Sequence, residues 1–466
     1  MVLSLSNTPQ VEVARGIAKT LEEAGFAAYL AGGCVRDLLL GAAPKDFDVA
    51  TNARPGQVVD MFARTEQVGA HFGVVLVVDE VGGVRVATEV ATFRHDGVYL
   101  DGRRPEAVRF SDDPREDVLR RDFTINGMLM EPESGAVLDF VGGREDLAAG
   151  VVRAIGDAEV RFAEDKLRML RGVRFAARLG FAIEAKTLAA IQRHAAEIGQ
   201  VSNERVRDEL TRMLTEGGAR RAFELMSQAG LLKEVLPEIE RLKGVEQPPE
   251  FHPEGDVWVH TMMLLEQLPQ GASATLAWGM LLHDVGKPAT FQAPDPMKPG
   301  DRIRFNGHVE VGVRIAEEIL RRLRFSHEEE AQIVALVKHH MQFGDLMAMK
   351  VSTLKRFLRM PKFDEHLALH RADCLSAHGD LRLYEFAKEA FERTEPEAMR
   401  PKLLVTGSDL ILAGYRPGPE FKAMLTAAED AQLEGRIGST EEGMELARRE
   451  FGGPPPPGFD AKSSND

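Results

Sequence analysis

The chain has 466 residues, 44% of them hydrophobic and 28% charged, with a formal net charge of −15; that is too long for one core and gives room for roughly two to four domains. The acidic balance excludes a surface coated in positive field, but not a local basic stripe that grips phosphate. No apolar run is long enough to span a bilayer, the opening MVLSLSNTPQ lacks a signal-peptide pattern, and the two cysteines, Cys34 and Cys374, have no zinc-type spacing, which fits a reducing cytoplasm without disulfides.

In chain order, VEVARGIAKTLEEAG predicts a helix ending at Gly25, FAAYLAGG a strand entering a turn, and KDFDVAT a second strand. FGVVLVVDEVGGVRVATEVATFR places Gly82-Gly83 between two β-branched runs, a hairpin signal. Residues 94–120 are polar and are expected to form a long loop. Residues 1–150 therefore read as an α+β head with a mixed sheet. From about residue 150 the strands give out, and 151–245 is expected to be a helical neck in which EDKLRMLRGVR lies on one helix. GVEQPPEFHPEGD breaks the pattern. A helical region rich in histidine and aspartate (246–385) follows, then a helical C-terminal region (386–466) whose tail, GGPPPPGFDAKSSND, is expected to be disordered.

Strand side chains alternate, so Asp46 and Asp48 point to one face while Phe47 and Val49 point to the other. Two carboxylates that close repel unless a cation sits between them, and oxygen ligands on a strand suit Mg²⁺ together with substrate phosphates. Glu89, on the predicted hairpin, offers a third carboxylate. Gly32 and Gly33 let backbone N–H groups approach a phosphate, and Arg36 offers a planar fork for a triphosphate oxygen. Farther on, Arg161 to Arg178 carries six cationic residues against Glu164 and Asp165. Asp165 and Arg168 are spaced to share one helix face, with Arg171 and Arg174 continuing the series. A carboxylate beside a guanidinium supplies the acceptor and donors needed to read a base edge; taken alone, the same spacing also describes a surface ion pair.

GGCVRD, KDFDVATNA, EVATFR, DGRRP, RRDFTING and RFAEDKLRMLRGVRFAARLGF, in that order over about residues 29–215, resemble the bacterial-type tRNA nucleotidyltransferases. These are the CCA-adding enzymes, in one family with bacterial poly(A) polymerases. The resemblance implies a polymerase-beta-like head in which Asp46 and Asp48 hold two Mg²⁺ ions for in-line attack of an RNA 3′-hydroxyl on an α-phosphate. It implies that Arg120, Arg121, Asp122 and Asn126 contact the nucleotide. It implies too that Asp165 and Arg168 pair with incoming CTP or ATP in place of a template, helped by Arg171 and Arg174. Gly127 stands where the family usually has alanine, and Lys166 where it commonly has proline.

HPEGDVWVHT, LLHDVGKP, FNGHVEVG, VKHHMQF and LHRADCLSAHGD set His260, His283, Asp284, His308, His339 (or its neighbour His340) and Asp373 on helical segments. Imidazole and carboxylate ligands suit a divalent metal, whose identity the sequence leaves open. The set resembles the HD phosphohydrolase superfamily, which implies metal-assisted phosphoester hydrolysis with Lys287 near a phosphate. In related tRNA nucleotidyltransferases such domains can carry phosphatase or 2′,3′-cyclic phosphodiesterase activity. A helical body that supports tRNA without chemistry is the alternative.

The leading expectation is CCA addition to tRNA with CTP and ATP, without membrane or DNA partners. A poly(A) polymerase or an enzyme adding only CC or only A is the runner-up, and a phosphohydrolase with a nucleotide-binding head the third reading. Oligomeric state is not legible. TGSDLILAGYRPGPEF is assigned only to the distal tRNA body, by position.

Overall fold

A computed structural model describes residues 8–66, 73–96, 108–395 and 399–454; the DGRRP segment and the Pro-rich tail from residue 455 lie outside the described residues. Helix α1 (Pro9–Glu23) starts where the Thr8 hydroxyl accepts from the Val11 N–H, and it buries Val13, Ile17 and Leu21 at helical spacing. Strand β1 (Ala28–Ala31) follows, then the short helix α2 (Gly33–Leu39), β2 (Asp48–Thr51), helix α3 (Pro55–Met61) and β3 (Thr65–Glu66). The hairpin expected around Gly82-Gly83 forms as β4 (Val74–Val81) and β5 (Val84–Thr92), with both glycines at positive φ (59° and 80°) as a tight turn of this hand requires.

Residues 94–96 and 108–120, the described parts of the stretch expected to be a loop, depart from that expectation; 97–107 lie outside the described residues. β6 (Arg94–Asp96) pairs antiparallel with β7 (Val108–Phe110), and helix α4 (Pro114–Leu119) follows, capped by the Asp113 carboxylate on the Arg115 N–H. Three-residue strands are too short to show period-two patterning, which is why polarity alone suggested a loop; the Asp-Pro helix start was present in the sequence. β8 (Met128–Met130) and β9 (Val137–Asp139) complete a mixed sheet of order β3-β4-β5-β2-β1-β8-β9. Leu30, Ala31, Val49, Ala50, Val90, Phe93 and Leu129 form its buried centre.

Beyond the sheet come helix α5 (Gly143–Ala149), α6 (Ala158–Glu164) and α7 (Leu167–Leu179). The strands do not wholly give out: β10 (Val151–Val152) and β11 (Ala182–Ile183) pair in parallel. Nor is EDKLRMLRGVR one helix. Asp165 is extended (φ −144°, ψ 106°), and its carboxylate accepts from the Leu167 N–H at 3.1 Å, so it ends α6 and starts α7. A short acidic side chain that captures a nearby backbone N–H competes with helix continuation. Helices Asn203–Thr215 and Ala219–Gln228 pack on α7.

Two units result. Met1–Gly244, Leu265–Ala277 and Glu318–Ser326 make the first; Val245–Leu264, Trp278–Glu317 and His327–Asp466 make the second, which is helical. Among the described residues no helix is long and apolar enough to cross a membrane.

Gly143 opens α5 against the 124–126 turn, where a Cβ would lie 2.3 Å from the Thr124 carbonyl oxygen. Backbone cannot yield as a flexible side chain can, so Gly143→Ala should destabilise the first unit by about 1–3 kcal/mol. Urea denaturation followed by circular dichroism measures this.

Candidate active site and candidate metal centre

Register builds the carboxylate site. β1 pairs with β2 so that Ala31 opposes Asp48, and β2 runs parallel to β5 with Val49 beside Val90. One residue back along both strands, Asp48 and Glu89 fall side by side. Phe47, Val49, Thr88 and Val90 are buried on the other face, so both carboxylates are turned to the same side, with exposed Asp46 just ahead of the strand. The Asp48 carboxyl is pushed up to about 6: burial raises it most, Glu89 and Asp46 add repulsion, and Arg121 offsets part of this. An all-oxygen set whose members repel fits a hard divalent cation, Mg²⁺ above all.

Gly32 (φ 74°) turns the chain from β1 into α2, and a Cβ there would meet Arg121 Nη1 at 3.1 Å, so Arg121 lies over this turn beside Asp48. The Gly32 N–H itself donates to the Met128 carbonyl (3.2 Å), which fixes the turn rather than leaving that donor for a phosphate. Gly33 begins α2. Arg121 and Arg120 both grip the buried Asp117; although burial opposes its ionisation, the two guanidiniums hold that carboxyl below its ordinary range.

Arg36 also departs from expectation. It is 3% exposed, with Nη1 donating to Asn126 Oδ1 (2.7 Å) and Nε to Asp37 Oδ1 (2.8 Å). Its fork ties α2 to the 124–126 turn instead of opening to a triphosphate, because the spacing of GGCVRD turns it inward. Asn126 in turn donates to Asp122 Oδ1 (3.2 Å), and Arg171 Nε donates to Asp122 Oδ2 (2.8 Å). Burial opposes the Asp122 charge, yet Arg171 keeps its carboxyl below the usual range.

The base-reading candidates stand at the other end of this chain of ion pairs. Arg36, Arg171 and Arg174 surround the Phe175 ring at 5.3, 5.4 and 4.4 Å from its centroid. Arg174 Nε donates to Glu209 Oε2 (2.7 Å) and its Nη1 to Glu216 Oε2 (3.1 Å). Asp165 pairs with Arg205 (2.8 Å). Arg168, 9% exposed, donates to Glu164 Oε2 (2.6 Å) and to the carbonyls of Arg161 (3.1 Å) and Arg120 (3.0 Å). With the helix broken at Asp165, the acid and Arg168 do not pair with one another. Asp117, Arg205, Glu209 and Glu216 escaped the sequence reading. Glu209 had a signal: it shares a helical face with buried Val206, Leu210 and Met213, where an acid is unexpected without a buried partner.

In the second unit, His260, His283, Asp284, His308, His340 and Asp373 converge. The structure corrects one choice: His340 Nε2 lies 3.7 Å from Asp284 Oδ1, whereas His339, about 100° farther round the helix turn, stacks edge-on against His366. Each ring is fixed from behind through Nδ1, at 2.9 Å from the Met280 carbonyl for His283, 2.9 Å from Phe305 for His308, 2.7 Å from Val337 for His340, and 2.7 Å from the Glu254 carboxylate for His260. All four Nε2 atoms are buried and face carboxylates, His260 at 3.0 Å from Asp373 and His283, His340 and His308 at 3.1, 3.7 and 3.8 Å from Asp284. This is the arrangement of metal-ligating imidazoles whose second nitrogen is anchored by an outer acceptor, so the residues fit a divalent metal. Burial drives the His340 pKa down to about 4, which keeps the ring neutral, and Lys287 Nζ lies 2.7 Å from Asp284 Oδ2. Gly286 brings this turn onto the helix that starts at His308: a Cβ there would lie 2.1 Å from the His308 carbonyl oxygen.

Comparison with known proteins supplies a context. Residues 28–153 match the poly A polymerase head domain, residues 180–243 the probable RNA and SrmB-binding site of polymerase A, and residues 256–378 the HD domain. A CCA-adding enzyme of Levilactobacillus brevis is 31% identical over 437 residues, covering 93% of this chain and 97% of that protein. One from Geobacillus stearothermophilus is 44% identical over 223 residues, 48% of this chain and 54% of its own. Among solved structures, the Bacillus stearothermophilus CCA-adding enzyme in complex with CTP superposes with a TM-score of 0.71 at 27% identity, covering 95% and 98% of the two chains. The Thermotoga maritima enzyme complexed with tRNA shares the fold at 19% identity and a TM-score of 0.54.

Truncating Glu209 strands the buried Arg174 on Glu216 alone. Glu209→Ala should therefore lower stability by about 3 kcal/mol, while Glu209→Gln, which keeps one acceptor, should cost less. Chemical denaturation of both variants is the check.

Proposed function

We propose a mechanism from one premise: this chain belongs to the bacterial CCA-adding enzymes of the poly(A) polymerase family. It is a tRNA nucleotidyltransferase that adds CCA to the 3′ end of tRNA, using CTP and ATP. In our reading Asp46, Asp48 and Glu89 hold Mg²⁺, which when bound supplies charge neutralisation for the triphosphate and for the attacking 3′-oxygen. The single observation that carries this is the strand register that sets Asp48 against Glu89, with an Asp48 carboxyl pushed up to about 6 and Arg121 alongside. Arg121, anchored by Asp117, meets the triphosphate from the Gly32 turn. Arg120, Asp122 and Asn126 keep that turn and α7 in register. Arg36 acts through Asn126 as a positioning residue.

Base choice falls to Asp165 and Arg168. Both are held by partners, Arg205 and Glu164 respectively, so pairing with the edge of C or A proceeds by exchange of ion-pair partners rather than by capture on free groups. Arg171 and Arg174, held against Phe175, fix the helix that carries Arg168. The reaction is placed in the cytoplasm, where tRNA and nucleotides are at hand.

A second activity is favoured by the four inward Nε2 atoms. The His/Asp centre would hold a transition metal, whose chemistry when bound is to polarise a phosphoester and lower the pKa of a water. Lys287 is placed to meet the phosphate.

Incubation with Mg²⁺ and tRNA lacking its last three nucleotides should give two C additions from CTP and then one A from ATP. An open-ended A tail would instead favour a poly(A) polymerase. Asp48→Ala should lower CTP incorporation by about a thousandfold or more, several kcal/mol of transition-state stabilisation. His283→Ala should leave incorporation unchanged and remove hydrolysis of 2′,3′-cyclic nucleotides.

A further inference from the structure

Lys166 stands between Asp165 and the first turn of α7, at the position where the family commonly has proline. Its backbone is one that proline could adopt unchanged: φ is −65°, and the preceding Asp165 is extended (φ −144°, ψ 106°). A pyrrolidine ring fixes that φ and demands that kind of predecessor, so proline would hold the bend through the backbone alone. Lysine has no such ring, and its ammonium is costly to withdraw from water unless it is paired. Yet Lys166 is only 8% exposed.

The side chain shows what takes the place of the ring. Lys166 Nζ folds back to donate to the Ala163 carbonyl (3.0 Å), in the last turn of α6, and faces Glu197 Oε2 at 3.8 Å. Glu197 lies on the turn Ala195–Gln200 and is itself fixed, its Oε1 standing 2.7 Å from His194 Nδ1. The other nitrogen of that ring meets Glu159 in the first turn of α6, where Arg193 Nε also donates (2.7 Å). Residues 193–197 therefore hold α6 near both of its ends. The hold through Lys166 is the one beside the bend that carries Asp165 and sets the start of α7.

We propose that Lys166 is a positioning residue for base recognition: its ammonium, anchored on Ala163 and Glu197, does for the Asp165–Arg168 bend what a proline ring would do. It acts through Asp165 and Arg168, by keeping the two at the separation with which they meet the edge of C or A. The Glu197 side chain is partly exposed, so solvent screens the pair, and its loss should cost about three- to tenfold rather than orders of magnitude.

The proposal rests on the reading of Asp165 and Arg168 as the base-selecting pair, and steady-state kinetics on the full chain separate the two. Lys166→Ala should raise KM for CTP and ATP about three- to tenfold with kcat little changed. Lys166→Arg, which keeps the cation, should recover most of that loss, and Lys166→Pro should stay near the parent. Glu197→Gln should raise KM in the parent and have no effect in the Lys166→Pro background. A merely structural loss would reduce the folded fraction, and with it kcat, and leave KM in place. Unchanged KM in Lys166→Ala, a Lys166→Pro variant as impaired as Lys166→Ala, or Glu197→Gln equally costly in both backgrounds overturns the role of Lys166. Arg168→Ala in the same assays tests the underlying reading, since it should relax the choice of C and A over U and G. If it does so while Lys166→Ala changes nothing, base reading stands and the present inference falls; if Arg168→Ala leaves selection as in the parent, both fall.

Discussion

Everything in the first unit is arranged around the cost of holding carboxylates close together. Parallel pairing of β2 with β5 puts Asp48 beside Glu89 and turns both to the face opposite the buried Val49, Thr88 and Val90. Among the described residues, no salt bridge to Asp48 relieves that repulsion. The protein keeps Arg121 near enough to offset part of it while tying the Nε and Nη2 of Arg121 to Asp117. The remainder of the charge stays uncompensated, which is the condition that the proposed binding of a cation with the triphosphate requires.

Farther out, buried ion pairs form several short sets. Arg121 and Arg120 share Asp117; Arg36, Asn126, Asp122 and Arg171 link α2 and the 124–126 turn to α7; Glu209 and Glu216 hold Arg174 from the neighbouring helices. Buried pairs of this kind add little net stability but strongly penalise any geometry that breaks one of them. What they secure is position: the residues that would read a base and those that would hold the phosphates are each held by short polar sets within a single unit.

How much of this was legible follows from the physics of each element. The two-residue periodicity of KDFDVAT and the Gly-Gly turn are local signals, so β2 and the β4–β5 hairpin could be read directly, although β2 begins only at Asp48 and leaves Asp46 ahead of the strand. Partnerships between distant segments could not. Arg36 looked free because its acceptor, Asn126, lies ninety residues away, and Arg168 looked free because Glu164 and two backbone carbonyls are met only once α6 breaks before α7. The choice between His339 and His340 was undecidable from an HH dipeptide; it is settled by which ring places Nδ1 on an i−3 carbonyl and so turns Nε2 inward. That same local bond recurs at His283 and His308, and no sequence pattern announces it.

The central claim is that the carboxylate face of β2 and β5 grips a divalent cation around a nucleoside triphosphate. Crystals grown with CTP and Mn²⁺ test it most directly through the anomalous signal of manganese. The account predicts a peak bonded to Asp46 and Asp48, with triphosphate oxygens in the same shell and Arg121 against the phosphates. Bound CTP with no manganese at those carboxylates, or manganese only at the His/Asp centre of the second unit, would contradict it.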